Sequence, residues 1–153
     1  HESGKPLIIA LNKWDLIPSE SKDPLLFKQR VFEKLDFISY APLLFISAVS
    51  GQRVVKILDL AHQVHAMGQK KIPTSHLNKF ISWVNENDPP FSKNRKKIKI
   101  KYMTQKQILP PTFLLFTHSS SSLSPAYEKH LIRLIRERFN IIGTPIRLLL
   151  KRN

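Results

Sequence analysis

Two short apolar runs set most of what this chain can become. Pro6–Leu11 and Pro42–Ile46 are apolar throughout. That is the pattern of strands buried on both faces of a parallel sheet, not of alternating strands with one wet side. Each run leads straight into a polar turn: Asn12-Lys13-Trp14-Asp15 after the first, Ser47-Ala48-Val49-Ser50-Gly51 after the second. Between them, from Asp23 to about Ile38, Leu26, Phe27, Val31, Leu35 and Ile38 recur at helical spacing, and Pro24 suits a first helical turn. A second amphipathic helix is predicted from Val54 to about Met67, with Leu58, Ala61 and His65 on one face. The order strand–helix–strand–helix implies a parallel pair with a right-handed crossover. Both polar turns then lie at the strands' C-terminal edge, where ligands bind in open α/β sheets.

The second half has a different rhythm. Thr74 or Ser75 is placed to cap a helix whose apolar face is Leu77, Phe80 or Ile81, and Val84, and Asp88-Pro89-Pro90 stops it. Lys97 to Tyr102 alternates, with Lys97, Lys99 and Lys101 on one side and Ile98, Ile100 and Tyr102 on the other, as a half-buried strand does. Pro110-Pro111 precede an apolar strand from Thr112 to Thr117, and Ser119 to Ser122 read as a loop. Ser124 caps and Pro125 opens a helix to about Phe139, with Tyr127, Leu131, Leu134, Ile135 and Phe139 inward. Gly143-Thr144 turn the chain into a last strand, Pro145 to Leu150. The order is helix–strand–strand–helix–strand.

Charge separates the halves. Residues 1–71 carry 10 Lys and Arg against 7 Asp and Glu, or +3; residues 72–153 carry 15 against 4, or +11. A boundary is expected at 71/72, near the Gly68–Pro73 segment. The basic excess favours polyanionic partners. Lys93, Arg95, Lys96, Lys97, Lys99 and Lys101 form a dense basic stretch, and Lys129, Arg133 and Arg136 share a helical face at i, i+4, i+7. Both are candidate phosphate-contacting patches. The chain has no cysteine, so disulfides and thiolate metal sites are excluded. No apolar run approaches the roughly 20 residues that span a bilayer, and no signal peptide is evident. His62 and His65 stand at i, i+3, and a metal site is not expected there. Trp14 and Trp83 are expected to pack rather than to stack on a ligand.

The first polar turn has a chemistry of its own. Asp15 can accept hydrogen bonds from guanine N1–H and the exocyclic N2 amine, donors that adenine lacks. An unpaired desolvated carboxylate costs roughly 1–3 kcal/mol or more. Asn12 can contact N7 and tie loops together, and the Lys13 stem can cover the base. A backbone N–H near Ala48 can donate to guanine O6. Asn12, Lys13, Asp15, Ser47 and Ala48 are therefore the candidate nucleotide-binding residues.

Asn-Lys-Trp-Asp and Ser-Ala resemble the fourth and fifth nucleotide motifs of translation-factor-type GTPases. Ile72-Pro73-Thr74, Ile98 to Gln105, Pro110 to Phe113 and Gly143 to Arg147 extend the likeness to the C-terminal KH-like domain of the Der (EngA) family of bacterial GTPases. The resemblance covers essentially the whole chain. It implies an α/β unit followed by an α+β unit: part of a P-loop GTPase domain (1–71), then a basic KH-like domain (72–153). It also implies GTP or GDP as ligand, with Mg²⁺ only in the intact parent, a repeated GTPase domain upstream, and a cytoplasmic role in large ribosomal subunit assembly. The partners would be rRNA or the ribosome and the parent's missing GTPase domains, with no membrane. The chain starts at His1 and is expected to be part of a longer protein. None of its four glycines lies in a GxxxxGK[S/T] loop, and no DxxG occurs. The 153 residues alone are therefore expected not to hydrolyse GTP. The second half also lacks the GXXG loop with which KH domains clamp single strands. Contact with folded rRNA, or docking against the GTPase domains, suits it better. The alternative is a stand-alone RNA-binding or protein-docking module with no nucleotide role.

Overall fold

The computed structural model describes residues 2–118 and 122–152; of the expected Ser119–Ser122 loop, residues 119–121 lie outside them. Its compact units are His1–Gly68 with Ile142–Pro145, and Gln69–Ile141 with Ile146–Asn153.

In the first unit, β1 (Ile9–Leu11) and β2 (Leu43–Phe45) pair in parallel, with Ile9 opposite Leu43 and Leu11 opposite Phe45. Helix α1 spans Pro24–Lys34. Asp23 caps it by accepting from the Leu25 and Leu26 N–H groups, and Pro24 takes the first turn. The helix ends four residues short of the expected Ile38. Leu35 leaves helical geometry at φ −121°, and Asp36–Ile38 form a separate 3₁₀ turn. Helix α2 (Val55–Gly68) turns a different side inward from the one read in the sequence. Val64 and Gly68 are buried and Ile57 and Leu60 half-buried, whereas Leu58, Ala61 and His65 face out. Ile57, Leu60 and Val64 form the broader apolar stripe, so that side wins the interior. Trp14 is 4% exposed, edge-on to Phe27 (centroids 5.1 Å apart) and tilted against Phe45 (4.2 Å).

The second unit places α3 (Thr74–Asn87) and α4 (Pro125–Phe139) on a sheet ordered β3 (Ile100–Gln107), β4 (Thr112–Thr117), β5 (Arg147–Arg152). β3 and β4 are antiparallel, and β4 and β5 parallel. One core unites Leu77, Phe80, Ile81 and Val84 of α3, Tyr127, Leu131 and Ile135 of α4, and Ile100, Met103, Phe113, Leu115 and Leu148 of the sheet. Neither Thr74 nor Ser75 caps α3: Pro73 is the cap residue, and its carbonyl accepts from the His76 and Leu77 N–H groups. In α4, Ser124 Oγ accepts from Tyr127 N–H as the sequence predicts. β3 starts three residues later than expected and runs further, and β5 starts two residues later. A register shift between Ile100 and Tyr102 breaks the alternation, so Met103 points inward and Tyr102 does not share the face of Ile100. An extra residue in one strand has this effect.

The free edge of β3 is covered by amide side chains. Asn85 of α3 donates from Nδ2 to the Ile100 carbonyl and accepts from Ile100 N–H, and Asn78 Oδ1 accepts from Met103 N–H. Gln105 accepts from Ile72 N–H. The Asn85 and Asn78 bonds satisfy ladder groups that would otherwise invite another strand.

Candidate functional site

The two polar turns meet because β1 and β2 are adjacent and parallel. Pairing continues past the strands, with Ile46 N–H donating to the Leu11 carbonyl and Trp14 N–H to the Ile46 carbonyl. Asn12 Oδ1 accepts from its neighbour Lys13 N–H at 2.8 Å and, across the turns, from Ala48 N–H at 3.0 Å. The Ala48 N–H is thus held by Asn12 rather than directed at solvent. Lys13 sits in the left-handed region at φ 64°, ψ 32°, uncommon for a residue with a Cβ. That bend turns the chain into the short 3₁₀ helix Trp14–Leu16, which buries Trp14 and exposes Asp15.

Ser47 is fully buried, and its Oγ accepts from Ser50 N–H at 3.2 Å. Ser47 N–H donates to the Gln52 carbonyl, closing the second turn. Gly51, at φ 72°, supplies a left-handed step with no Cβ conflict. The Ser47 hydroxyl, a bond to the backbone at Asp15, and the positive charges of Lys22 and Lys13 hold the Asp15 carboxyl below its ordinary value of 3.8. Asp15 is therefore an exposed anion, able to accept from N–H donors of a planar base. Lys22 acts on Asp15 only through the turn before α1, a proximity that sequence spacing does not mark. The positioning roles of Gln52 and Ser50 come from backbone geometry and have no sequence signal.

Lys93, Arg95, Lys96, Lys97, Lys99 and Lys101 are all exposed. Lys97, Lys99 and Lys101 line one groove with Ser82, Asn85, Glu86 and Pro89 beside β3. The helical trio does not form a free stripe. Arg136 is half-buried, and its Nη1 donates to the Ile141 carbonyl at 2.6 Å, fastening the end of α4. Arg133 lies 4.0 Å from Glu137 and 3.2 Å from the His130 ring, leaving Lys129 as the plain exposed cation of the three. His130 pairs with Asp88, and Tyr127 donates its hydroxyl to the Asp88 carbonyl. Burial, then the Asp88 carboxylate, pushes the Tyr127 phenol well above its usual range. Trp83 is 48% exposed and stacked on Phe80, so it packs on one side only. Among the described residues, no group of three His, Cys, Asp or Glu could hold a metal ion, and no helix is long and apolar enough to cross a membrane.

Residues 71–151 match the family described as the KH-domain-like, C-terminal domain of EngA bacterial GTPase enzymes. The chain is 42% identical over 146 residues to the GTPase Der of Chloroflexus aggregans, covering 95% of this chain and 32% of that protein. Against the GTPase Der of Chloroherpeton thalassium the identity is 43% over 146 residues, covering 95% and 34%. Against that of Desulfitobacterium hafniense strain Y51 it is 39% over 152 residues, covering 99% and 34%. The chain thus spans about a third of the length of the curated relatives it matches.

Proposed function

The chain belongs to the EngA (Der) family of bacterial GTPases, and from that premise we propose that its first unit is the guanine-selecting corner of a GTP site. The observation that carries this reading is the coupling of the two turns: Asn12 Oδ1 accepts from Ala48 N–H across them, beside an Asp15 carboxyl held below its ordinary pKa. In the bound state Asp15 accepts from guanine N1–H and N2, and the Lys13 stem lies along the base. Phosphate and Mg²⁺ find no matching residues here, since the chain has no GxxxxGK[S/T] loop. GTP or GDP binding with Mg²⁺, and hydrolysis, then belong to a longer polypeptide that includes those parts.

The second unit, on the same reading, contacts rRNA or the large ribosomal subunit, or docks on GTPase domains of the whole protein, in ribosome assembly. Its +11 charge and the exposed Lys93–Lys101 stretch support this. The test is binding of fluorescent guanine and adenine nucleotides to a polypeptide of the relatives' full length. A guanine preference that collapses in Asp15→Asn is the expected result, and indifference to the base would sink the reading. The 153-residue chain itself is expected to release no phosphate from GTP with Mg²⁺; Mg²⁺-dependent turnover would contradict that.

A further inference from the structure

We propose that the helix-free face of the β3–β4–β5 sheet holds an unpaired stretch of RNA, with bases against an aromatic–aliphatic strip and phosphate at Lys151. This rests on the reading of the second unit as an RNA-contacting domain, and it places the base contact on the sheet face rather than in the groove lined by Lys97, Lys99 and Lys101.

Helices α3 and α4 cover the face of Met103, Phe113, Leu115 and Leu148. The strand register puts two rows on the opposite face. Tyr102 pairs with Phe116 and Phe116 with Lys151; Thr104 pairs with Leu114 and Leu114 with Leu149. The Tyr102 and Phe116 rings are stacked, with centroids 4.1 Å apart and planes 14° from parallel. Lys151 Nζ stands 6.0 Å from the Phe116 centroid. The solvated face of a mixed sheet is ordinarily polar. Here Leu149 is 40% exposed, Lys151 is exposed, and Tyr102, Leu114 and Phe116 are partly exposed. Flat π-surfaces beside a cation on a sheet face match the two surfaces of a single strand, base and phosphate. A duplex hides its base faces and would use only the cation.

Charge points the same way. No Asp or Glu occurs from Pro89 to Tyr127 or from Phe139 to Asn153, stretches that include all three strands. The acidic residues after Ile72 are Glu86, Asp88, Glu128 and Glu137, all on or ending α3 and α4. The strands carry cations without an acid to repel phosphate.

The experiment measures anisotropy of labelled oligouridine and of a short RNA duplex with the whole chain, across salt concentrations. Single strand is expected to bind more tightly than duplex. Tyr102→Leu and Phe116→Leu keep apolar volume and should weaken single-strand binding roughly 5- to 100-fold, the range for loss of one base stack. Lys151→Gln should weaken binding and lower the salt slope by about 1. Photo-crosslinking of 4-thiouridine oligonucleotide to the unaltered protein should label the Tyr102 and Phe116 peptides, which keeps the test valid if a Leu variant misfolds. If crosslinks and losses are confined to Lys96→Gln and Lys97→Gln, with duplex bound as well as single strand, this proposal fails and the RNA reading stands. If no RNA binds, both fail. Tyr102-dependent binding to anionic phosphatidylglycerol vesicles in place of oligonucleotide would overturn it in favour of a lipid surface.

Discussion

At the scale of single residues, Asp15 and Ser47 divide one task. On the proposed reading Asp15 offers the acceptor, and the buried Ser47 hydroxyl favours its charged form. Asp15→Asn replaces one acceptor oxygen with an amide donor that faces guanine's own donors. In a polypeptide with a complete nucleotide site, guanine affinity should fall by roughly 10- to 100-fold, the range expected when a charged hydrogen-bond partner is lost. Titration calorimetry reads this directly; an unchanged affinity would remove Asp15 from the site. Ser47→Ala acts indirectly. Without the Ser47 hydroxyl, the Asp15 carboxyl should titrate closer to 3.8, a rise visible by NMR of that carboxyl. The sign for stability follows. A depressed folded pKa contributes stability above the ordinary value, and that contribution disappears as pH falls through the lowered one. Ser47→Ala should therefore melt lower than the parent at neutral pH, with the gap closing in acid. A gap that widens in acid would contradict the hydrogen bond.

At the scale of elements, the segment between α4 and β5 is closely confined at Gly143. Gly143 has φ 66°, donates its N–H to the Tyr40 carbonyl and accepts from Leu7 N–H. A Cβ there would stand 2.6 and 2.7 Å from the two Val64 methyls and 3.0 Å from the Leu7 carbonyl oxygen. Gly143→Ala should thus destabilise the first unit by roughly 1–3 kcal/mol through overpacking, with further strain from the left-handed backbone. Denaturant melts should place the loss there, and Gly143→Ala with Val64→Ala should recover part of it. If the double variant recovers nothing, the Val64 contact is not the cause. The sequence shows Gly143 as a turn, but not that its neighbours come from Leu7, Tyr40 and Val64, because that proximity is set by folding at long range. Legibility elsewhere follows the same division. Caps and prolines are local chemistry, so α4 and β4 are found at their predicted bounds. The inward side of α2, the bulge that turns Met103 inward, and the Asn78 and Asn85 bonds to β3 depend on what packs opposite, and periodicity does not encode that. The two polar turns are legible as strand ends, but the Asn12 bond to Ala48 N–H that joins them needs the turn geometry. The basic stretch was readable as charge, whereas Arg136's anchoring role was not.

At the scale of the whole molecule, the first unit carries more apolar surface than a two-stranded sheet can hide. Among the described residues β1 pairs only with β2. Beside it lies an open hollow of about 760 Å³, lined by Ile9, Leu11, Leu16, Phe27, Val31 and others. Leu16 is 70% exposed. A contiguous apolar surface at a strand edge marks a place where more structure packs. The relatives are about three times as long as this chain, so a longer polypeptide has material to fill it. The 153-residue chain should accordingly bind a hydrophobic dye and self-associate as concentration rises. Leu16→Ser should reduce both, with little change in melting temperature, since an exposed side chain contributes little burial. Extending the chain upstream to the relatives' length should abolish dye binding and raise the melting temperature of the first unit by several degrees, roughly 4–8 °C per kcal/mol for a unit this small. The two changes distinguish a covered face from a merely soluble one: covering raises the melting temperature, whereas Leu16→Ser does not. Should the extended polypeptide bind the dye as strongly as the 153-residue chain, the hollow is not an interior seam of the longer protein.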